Sequence, residues 1–562
     1  MTPSRLAGHL LVAELIAQGA DTVYGVPGES FLAVLDGIHE YRDRIRFVTC
    51  RHEGGAAVMA EAHGKLTGEP GICLVTRGPG AANAAIGLHT AFQDSTPMIL
   101  FIGQVARDHL EREAFQEVDY RRAFGQSAKW VAQIDDARRI PEFVARAYQE
   151  AINGRPGPVV LALPEDMLGE VVAASGAARH RRVALHPGAA ETADLGRRLA
   201  CARQPLAMVG GPGWTRRAMD DFRAFAQAWQ LPVVAAFRYQ DLFDNRHPLY
   251  GGDAGLGISP ALARRVREAD LLLAVGPRLG DATTSGYTLV EAPRPRQSLI
   301  HIHGGIGELG RVYQADLPVC ATMPEACAAL AALDAPASCG WEAWRDGIAA
   351  EYAEWISLPT SGALDLAAVI RHASEVLPDD AIVCNGAGNA TVWLHRFYRY
   401  RPGPEDCRRT QLAPTSGAMG YGIPAAVAVA LRHPDRPVVT VCGDGDFLMT
   451  AQELATAVAH GASFVVLLVN NGIYGTIRMH QERRFPGRVV GSDLVNPDFV
   501  AFASSFGAWA RRVERTQDFA SAFTEALATG VPAVIELALD PEVITPGATL
   551  SGLRAAAKGA AA

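Results

Sequence analysis

The chain is 562 residues long and contains no apolar run of 18 or more residues. That argues against a membrane-spanning helix. Its nine cysteines (50, 73, 201, 320, 327, 339, 384, 407 and 442) are scattered, odd in number and without a CxxC pair. This usage disfavours a disulfide frame or a clustered zinc site and suits reduced thiols in a cytoplasm. Charge of one sign is also scarce: 52 Lys and Arg stand against 60 Asp and Glu, and the basic residues are scattered along the chain. The net charge of −8 therefore favours neither a nucleic-acid nor a membrane partner. No GxxxxGK[ST] element is present, which argues against an NTPase, and the turn "GGPGW" lacks the GxGxxG spacing of a dinucleotide fingerprint. No short repeat is visible.

What is present is α/β grammar. At 49% hydrophobic, the chain can build several cores, and its length suggests roughly three or four domains. Short apolar runs such as "GICLVTRGPG", "TPMILFIGQV", "DLLLAVGPR", "PVVTVCGDG" and "SFVVLLVNNG" end in glycine or a polar turn, and Ala/Leu-rich helices follow. Runs apolar on both faces predict parallel strands covered by helices. The N-terminus carries Glu14 and Asp21 within its apolar stretch and reads as an amphipathic helix followed by a strand. Composition shifts at 171–194 and 333–346 read as a linker and a second break. The first and third units share a strand, Gly-rich turn and helix order. The expected fold is α/β with three doubly wound parallel-sheet domains, spanning 1–172, 190–335 and 355–545. A frayed tail is expected over 546–562.

Within "VTVCGDGDFLM" a carboxylate, Asp444, stands between two glycines at the end of a buried strand. After an intervening helix, the next strand ends in Asn470, Asn471 and Gly472, so Asp444 and Asn471, 27 positions apart, reach the same carboxyl edge. Open α/β sheets bind ligands at that edge. A carboxylate and an amide oxygen suit a hard octahedral cation such as Mg²⁺, which takes its remaining oxygens from phosphates and water. Glycine N–H groups there suit the phosphates themselves.

A second candidate is "RFVTCRHEGGAAVMAEAHGKLTG", in which Glu53 opens a helix of small residues. The plain reading of Glu53 is an acid favoured by the helix dipole. The alternative is a poorly solvated carboxylate inclined to hold a proton. His52 competes with it as a catalytic candidate, and Met419 in "APTSGAMGYGIPAA" reads as a core methionine on its own.

Together, "VPGESFLAVLDGI", "RHEGGAAVMAEAHGKLTGEPG", "TRGPGAANAAIGLHTAFQDSTPMILFIGQV", "AFQEVD", "SGAMGYGIPAA" and "GDGDF" through "NNGIYG" make the chain resemble thiamine diphosphate (ThDP)-dependent 2-oxo-acid enzymes. The likeness is to their acetohydroxyacid (acetolactate) synthase-like branch and covers nearly the whole chain. It implies pyrimidine-binding, central and diphosphate-binding domains. It also implies decarboxylation of a pyruvate-like 2-oxo acid, with transfer of the hydroxyalkyl carbanion to a second carbonyl compound.

By that resemblance Glu53 shares a proton with the cofactor's pyrimidine ring, Met419 is the apolar wedge that bends it, and the Gly417 carbonyl accepts a hydrogen bond from its amino group. Asp444, Asn471 and the Ile473 carbonyl are the implied Mg²⁺ ligands. Gly388, Asn389, Gly443, Gly445, Asp446 and Tyr474 are implied around the diphosphate, and Pro27, Thr76, Pro79 and Asn83 around the pyrimidine. A homodimer or homotetramer with active sites at subunit interfaces is implied as well.

Three departures bear on the substrate. His480 replaces the tryptophan of biosynthetic synthases, beside Thr476 and Ile477. Glu29 follows "VPG" where those enzymes have glycine, a second acid/base candidate or a surface carboxylate. Gln116, in "FQE", is kept as a polar pocket residue. The middle unit resembles a flavin-binding domain, but "AFRYQDLF", "DAGLG" and "IHIHGG", with His303 and Gly304, depart from it and count against FAD. The alternatives are a ThDP-dependent decarboxylase, oxidase or C–C lyase without carboligation, and a non-catalytic ThDP-binding paralogue.

Overall fold

The computed structural model describes residues 4–360, 362–405 and 408–561. Cys407 lies outside them, and the eight described cysteines form no disulfide. Among the described residues no helix is long and apolar enough to cross a membrane.

The chain divides into two compact units, Met1–Val183 and Ala184–Ala562. In the first, α1 (Ala7–Gln18) precedes a parallel sheet of β1 (Thr22–Gly25), β2 (Arg46–Thr49), β3 (Gly71–Val75), β4 (Met98–Gln104), β5 (Trp130–Gln133) and β6 (Pro158–Pro164). The strand order is β2-β1-β3-β4-β6-β5. β3, β4 and β6 are buried along their whole length, as their unbroken apolar runs require. Helices α2 (Glu53–Thr67) and α3 (Pro79–Asp94) pack closely because their contact residues are small. A Cβ on Gly87 would sit 2.5 Å from that of Ala57.

The second unit carries two further parallel sheets. One comprises β7 (Pro205–Val209), β8 (Val233–Ala236), β9 (Tyr250–Ala254), β10 (Leu271–Val275), β11 (Ser298–His303) and β12 (Leu317–Cys320), in the order β9-β8-β7-β10-β11-β12. The other comprises β13 (Ile382–Asn385), β14 (Gln411–Leu412), β15 (Val438–Gly443), β16 (Val465–Asn470), β17 (Trp509–Val513) and β18 (Ala533–Ala538), in the order β14-β13-β15-β16-β18-β17. The expected α/β architecture of three parallel sheets is therefore present. The first and third sheets share one winding order, and the central sheet has the winding of dinucleotide-binding folds.

Sheets wound this way open a ligand crevice where the strand order reverses. In the first sheet that point lies between the carboxyl ends of β1 and β3. In the third it lies between β13 and β15.

Three expectations about chain organisation change. The basic stretch from 171 is not a free linker. Val171–Val172 pair antiparallel with Arg5–Leu6, and His180 bonds both Gln18 and Glu69. These polar side chains strap the stretch over α1. In the second break, Trp341 and Trp344 are buried in the central core. The tail is not frayed either: Leu550–Ala561 form a helix. Its alanines favour helix, and Arg554 pairs with the fully buried Glu482 of the helix Gly475–Arg484.

Candidate functional site

In the first unit the predicted residues converge on the β1/β3 crevice. Ser30 Oγ lies 2.9 Å from Thr76 Oγ1, and a Cβ on Gly28 would come within 2.6 Å of Thr76 Cβ. Pro27 is exposed beside them. Glu53 opens α2, and Asn83 of α3 donates to its Oε2 at 2.9 Å. Pro79 is the first residue of α3, and a Cβ on Gly80 would lie 3.3 Å from Glu53 Oε1. Glu53 is half-buried rather than enclosed, although the small residues that follow it, Gly54 to Ala57, are buried.

His52 Nδ1 accepts from the Gly54 N–H at 3.0 Å and caps α2. Its ring is thus given to holding the helix end.

Glu29 is exposed but tethered. Arg77, itself buried, donates to Glu29 at 3.1 Å, to Glu165 at 3.3 Å and to the Phe115 carbonyl at 3.4 Å. Gln116 has φ +64 and lies against Gly78, where a Cβ would be 2.8 Å from its carbonyl oxygen. Arg77 was not singled out from the sequence. The signal was an arginine inside the Gly-rich turn "TRGPG".

In the second unit a cavity of about 230 Å³ lies at the β13/β15 crevice, lined by Gly388, Asn389, Gly417, Met419, Gly443, Asp444, Gly445, Asp446, Asn471, Ile473 and Tyr474, among others. β15 and β16 pair in parallel with Gly443 opposite Val469, which brings Asp444 and Asn471 to one edge. Asp444 is buried and accepts from the N–H of Gly445 at 2.9 Å and of Gly472 at 2.8 Å, and from the Asn496 amide at 2.8 Å. Burial pushes its carboxyl above the ordinary range, against the pull of these donors. Asn496 gave no sequence signal, since nothing in "VNPDF" marks it. Asn470 turns away from the cavity to donate to Glu536 at 2.7 Å.

The cavity fits a phosphate-bearing ligand with a hard cation. Gly388 and Gly417 have φ +102 and +69, and a Cβ on either would meet no atom within 4 Å. The missing side chains therefore leave open space, and backbone lines it. The oxygens of Asp444, Asn471 and Ile473 are hard donors. Among the described residues no group of three His, Cys, Asp or Glu is placed to hold a metal. A cation here would therefore rely on amide, carbonyl and ligand oxygens beside the carboxylate.

Asp446 is buried, and its Oδ1 accepts from the Gly420 N–H at 2.6 Å. Burial raises its carboxyl to about 7, against the pull of that N–H and of Arg238. The ring of Tyr474 lies where a Cβ on Gly445 would be 2.3 Å away. The Asn389 side chain is committed: its oxygen accepts from Thr476 at 2.8 Å, and its amide donates to the Ile544 carbonyl at 3.0 Å. His480 is exposed and is not among the residues lining the cavity, although Thr476 and Ile477 are.

The comparisons agree with this geometry. Residues 5–123 match the thiamine pyrophosphate enzyme N-terminal TPP binding domain, 192–330 the central domain, and 386–537 the C-terminal TPP binding domain. The acetolactate synthase large subunit of Parasynechococcus marenigrum is 32% identical over 535 residues, covering 90% of this chain and 83% of that protein. That of Lactococcus lactis is 30% identical, covering 89% and 87%. The acetolactate synthase isozyme 2 large subunit of Escherichia coli is 29% identical, covering 96% and 98%. The two crevices and these matches over nearly the whole length place the chain in the thiamine diphosphate (pyrophosphate) enzyme family, among its acetolactate synthase-like members.

Proposed function

We propose that the chain decarboxylates a pyruvate-like 2-oxo acid and joins the remaining acyl unit to a second carbonyl compound, with ThDP and Mg²⁺. The observation that carries this reading is the glycine-lined cavity at a strand-order reversal, with Asp444, Asn471 and Ile473 on its wall. When bound, ThDP supplies the carbanion chemistry, and the protein supplies positioning and electrostatics.

Asp444, Asn471 and the Ile473 carbonyl would hold the Mg²⁺. The backbone of Gly388 and Asn389 would face the diphosphate, because the Asn389 side chain is engaged elsewhere. Gly443, Gly445, Asp446 and Tyr474 shape the same wall. Met419 is the apolar wedge, and Gly417 offers its carbonyl. Glu53 would exchange a proton with the pyrimidine ring nitrogen, oriented by Asn83, with Pro27, Thr76 and Pro79 around it. Gln116 is a substrate-pocket residue in this reading. We further infer a homodimer or homotetramer with active sites at subunit interfaces.

The tethered, exposed carboxylate of Glu29 favours a second reading, in which a proton takes the place of the carbonyl acceptor. His480, away from the cavity lining, adds no support to that reading.

FAD is not assigned. At the β7/β10 reversal, where a dinucleotide would lie, a Cβ on Gly211 would be 1.8 Å from the Gly276 carbonyl oxygen. The buried Trp214 indole donates to the Gly210 carbonyl at 2.8 Å. These contacts bring the two turns at that reversal close together.

Glu53→Gln tests the core of the reading. The variant is expected to bind ThDP and Mg²⁺ but to turn over about 10²–10⁴ times more slowly, the usual worth of a positioned acid–base group. Full activity in this variant would remove Glu53 from the mechanism.

A further inference from the structure

Arg238 stands just after β8, in a stretch whose sequence only counted against flavin. It is 3% exposed, and its φ of +66 lies in a region that L-residues rarely adopt. Its guanidinium carbon lies 4.9 Å from the Phe237 ring centroid. One guanidinium N–H donates to the Pro414 carbonyl oxygen. That carbonyl also accepts from the Gly417 N–H at 2.9 Å, so it closes the turn that leads to Met419.

The far end of the same segment is fixed at Gly420. Its N–H donates to Asp446 at 2.6 Å, and its carbonyl accepts from Thr450 at 2.8 Å. Asp446 is also 3% exposed, and its other oxygen abuts Gly386, where a Cβ would be 2.2 Å away. Between these anchors lie Gly417 and Met419, both on the cavity wall.

Two buried side chains thus hold the two ends of one seven-residue segment, 414–420, each by a hydrogen bond to its backbone. Arg238 is not placed by accident of packing. Arg409 donates to its carbonyl at 3.0 Å and is itself ion-paired with the buried Asp241 at 2.8 Å. Strained residues persist where the surroundings over-determine them, and they cluster at functional sites.

We infer that Arg238 and Asp446 are positioning residues, a hydrogen-bonded clamp that fixes the Gly417–Met419 turn against the cofactor cavity. Neither need touch a substrate to matter. Each acts through the turn it holds. This inference rests on the ThDP reading given above.

Arg238→Gly is the informative substitution. Glycine accepts φ +66 without strain, so the fold keeps its backbone while losing the guanidinium. Binding is read as quenching of intrinsic fluorescence (Trp393 lines the cavity) on titration with ThDP at saturating Mg²⁺. The ThDP dissociation constant is expected to rise about tenfold, with kcat lowered, while the ligand-free protein, its thermal midpoint reduced by loss of a buried side chain, still unfolds in one cooperative transition. Arg238→Lys, which retains a donor, should recover part of the affinity. Asp446→Ala should weaken binding similarly, and the double variant should lose less than the product of the two single effects, because both hold one segment.

Wild-type affinity and kcat in a folded Arg238→Gly protein would overturn the clamp, as would independent, multiplying effects. Failure of the wild type to bind ThDP would overturn the cofactor reading, and the clamp with it.

Discussion

Replacing Asp444 by alanine separates what this carboxylate does for the fold from what it does for a ligand. Its Oδ2 receives the Gly472 N–H and the Asn496 amide, both at 2.8 Å. A buried donor left without an acceptor costs about 1–3 kcal/mol. Both donors, however, already share the oxygen of Asn470, at 3.3 and 3.0 Å. That shared acceptor offsets part of the loss, while the Gly445 N–H loses its bond to Oδ1, so the ligand-free variant should lose about 1–3 kcal/mol.

The ligand response should disappear altogether. At 100 times its dissociation constant a ligand adds about 2.7 kcal/mol to the folded state. For a domain of this size that is roughly 5–10 °C in Tm. The assay is a thermal melt with and without ThDP and Mg²⁺, followed by a signal from the third sheet's own core, for example fluorescence with Trp393 as the only tryptophan retained. Wild type should rise by that amount. Asp444→Ala should start slightly lower and stay there. Asp444→Asn can keep the Gly472 and Asn496 bonds by turning its oxygen toward them but gives up the Gly445 bond, so its ligand-free melt should fall between the alanine variant and wild type while the Mg²⁺ response stays weak. A full Mg²⁺-dependent rise in Asp444→Ala would refute the metal assignment. Collapse of the ligand-free variant would refute the structural estimate.

Two further outcomes follow from groups outside the cavity. Burial raises the Asp253 carboxyl from 3.8 to about 7, so the folded state holds this proton more tightly than the unfolded chain. Stability from this group is greatest below pH 4 and is lost as pH rises to 7, by up to about 4 kcal/mol. Partial solvent access to the side chain brings this nearer about 2 kcal/mol. Asp253→Asn should therefore raise Tm more at pH 8 than at pH 5, and an equal shift at both would contradict the burial argument. In the C-terminal helix, Arg554→Met removes two N–H donors from the fully buried Glu482, leaving it the Gly487 N–H at 2.9 Å. Amide hydrogen exchange over 475–487 should quicken, since the helix carrying Thr476 and Ile477 loses its brace. Unchanged exchange there would show that the C-terminal helix does not support it.

Much of this molecule is legible from local pattern. Strands such as Leu271–Val275 and Val465–Asn470 are apolar on both faces, and only a covered parallel sheet buries both. Asp444 and Asn471 were readable because the strands that precede them are neighbours in sequence, and such strands are usually neighbours in space. Glu53 and Asn83 meet because α2 and α3, which precede and follow β3 in the chain, bring their N-terminal ends together.

What escaped depends on contacts far apart in the chain. The role of Arg238 is set by Pro414, 176 positions away, and "AFRYQDLF" carries no trace of that partner. Asn496 is defined by a turn that brings it back to Asp444, 52 positions earlier. The terminal helix has a composition that permits helix or coil, and its tertiary contacts, the Arg554–Glu482 ion pair and the burial of Leu550 against Ile473, Met479 and Ile544, hold it as a helix. His52 looked chemical because a histidine beside a glutamate is ambiguous until the ring is seen capping the helix.

The central claim is the reaction itself. Purified protein with ThDP, Mg²⁺ and pyruvate should consume the 2-oxo acid and release carbon dioxide and acetolactate, detected by NMR, with no product when ThDP is omitted. Release of acetaldehyde or acetate without acetolactate would contradict the proposed carboligation of pyruvate. No consumption of pyruvate or of any other 2-oxo acid, by protein shown to bind ThDP, would contradict the enzymatic reading as a whole.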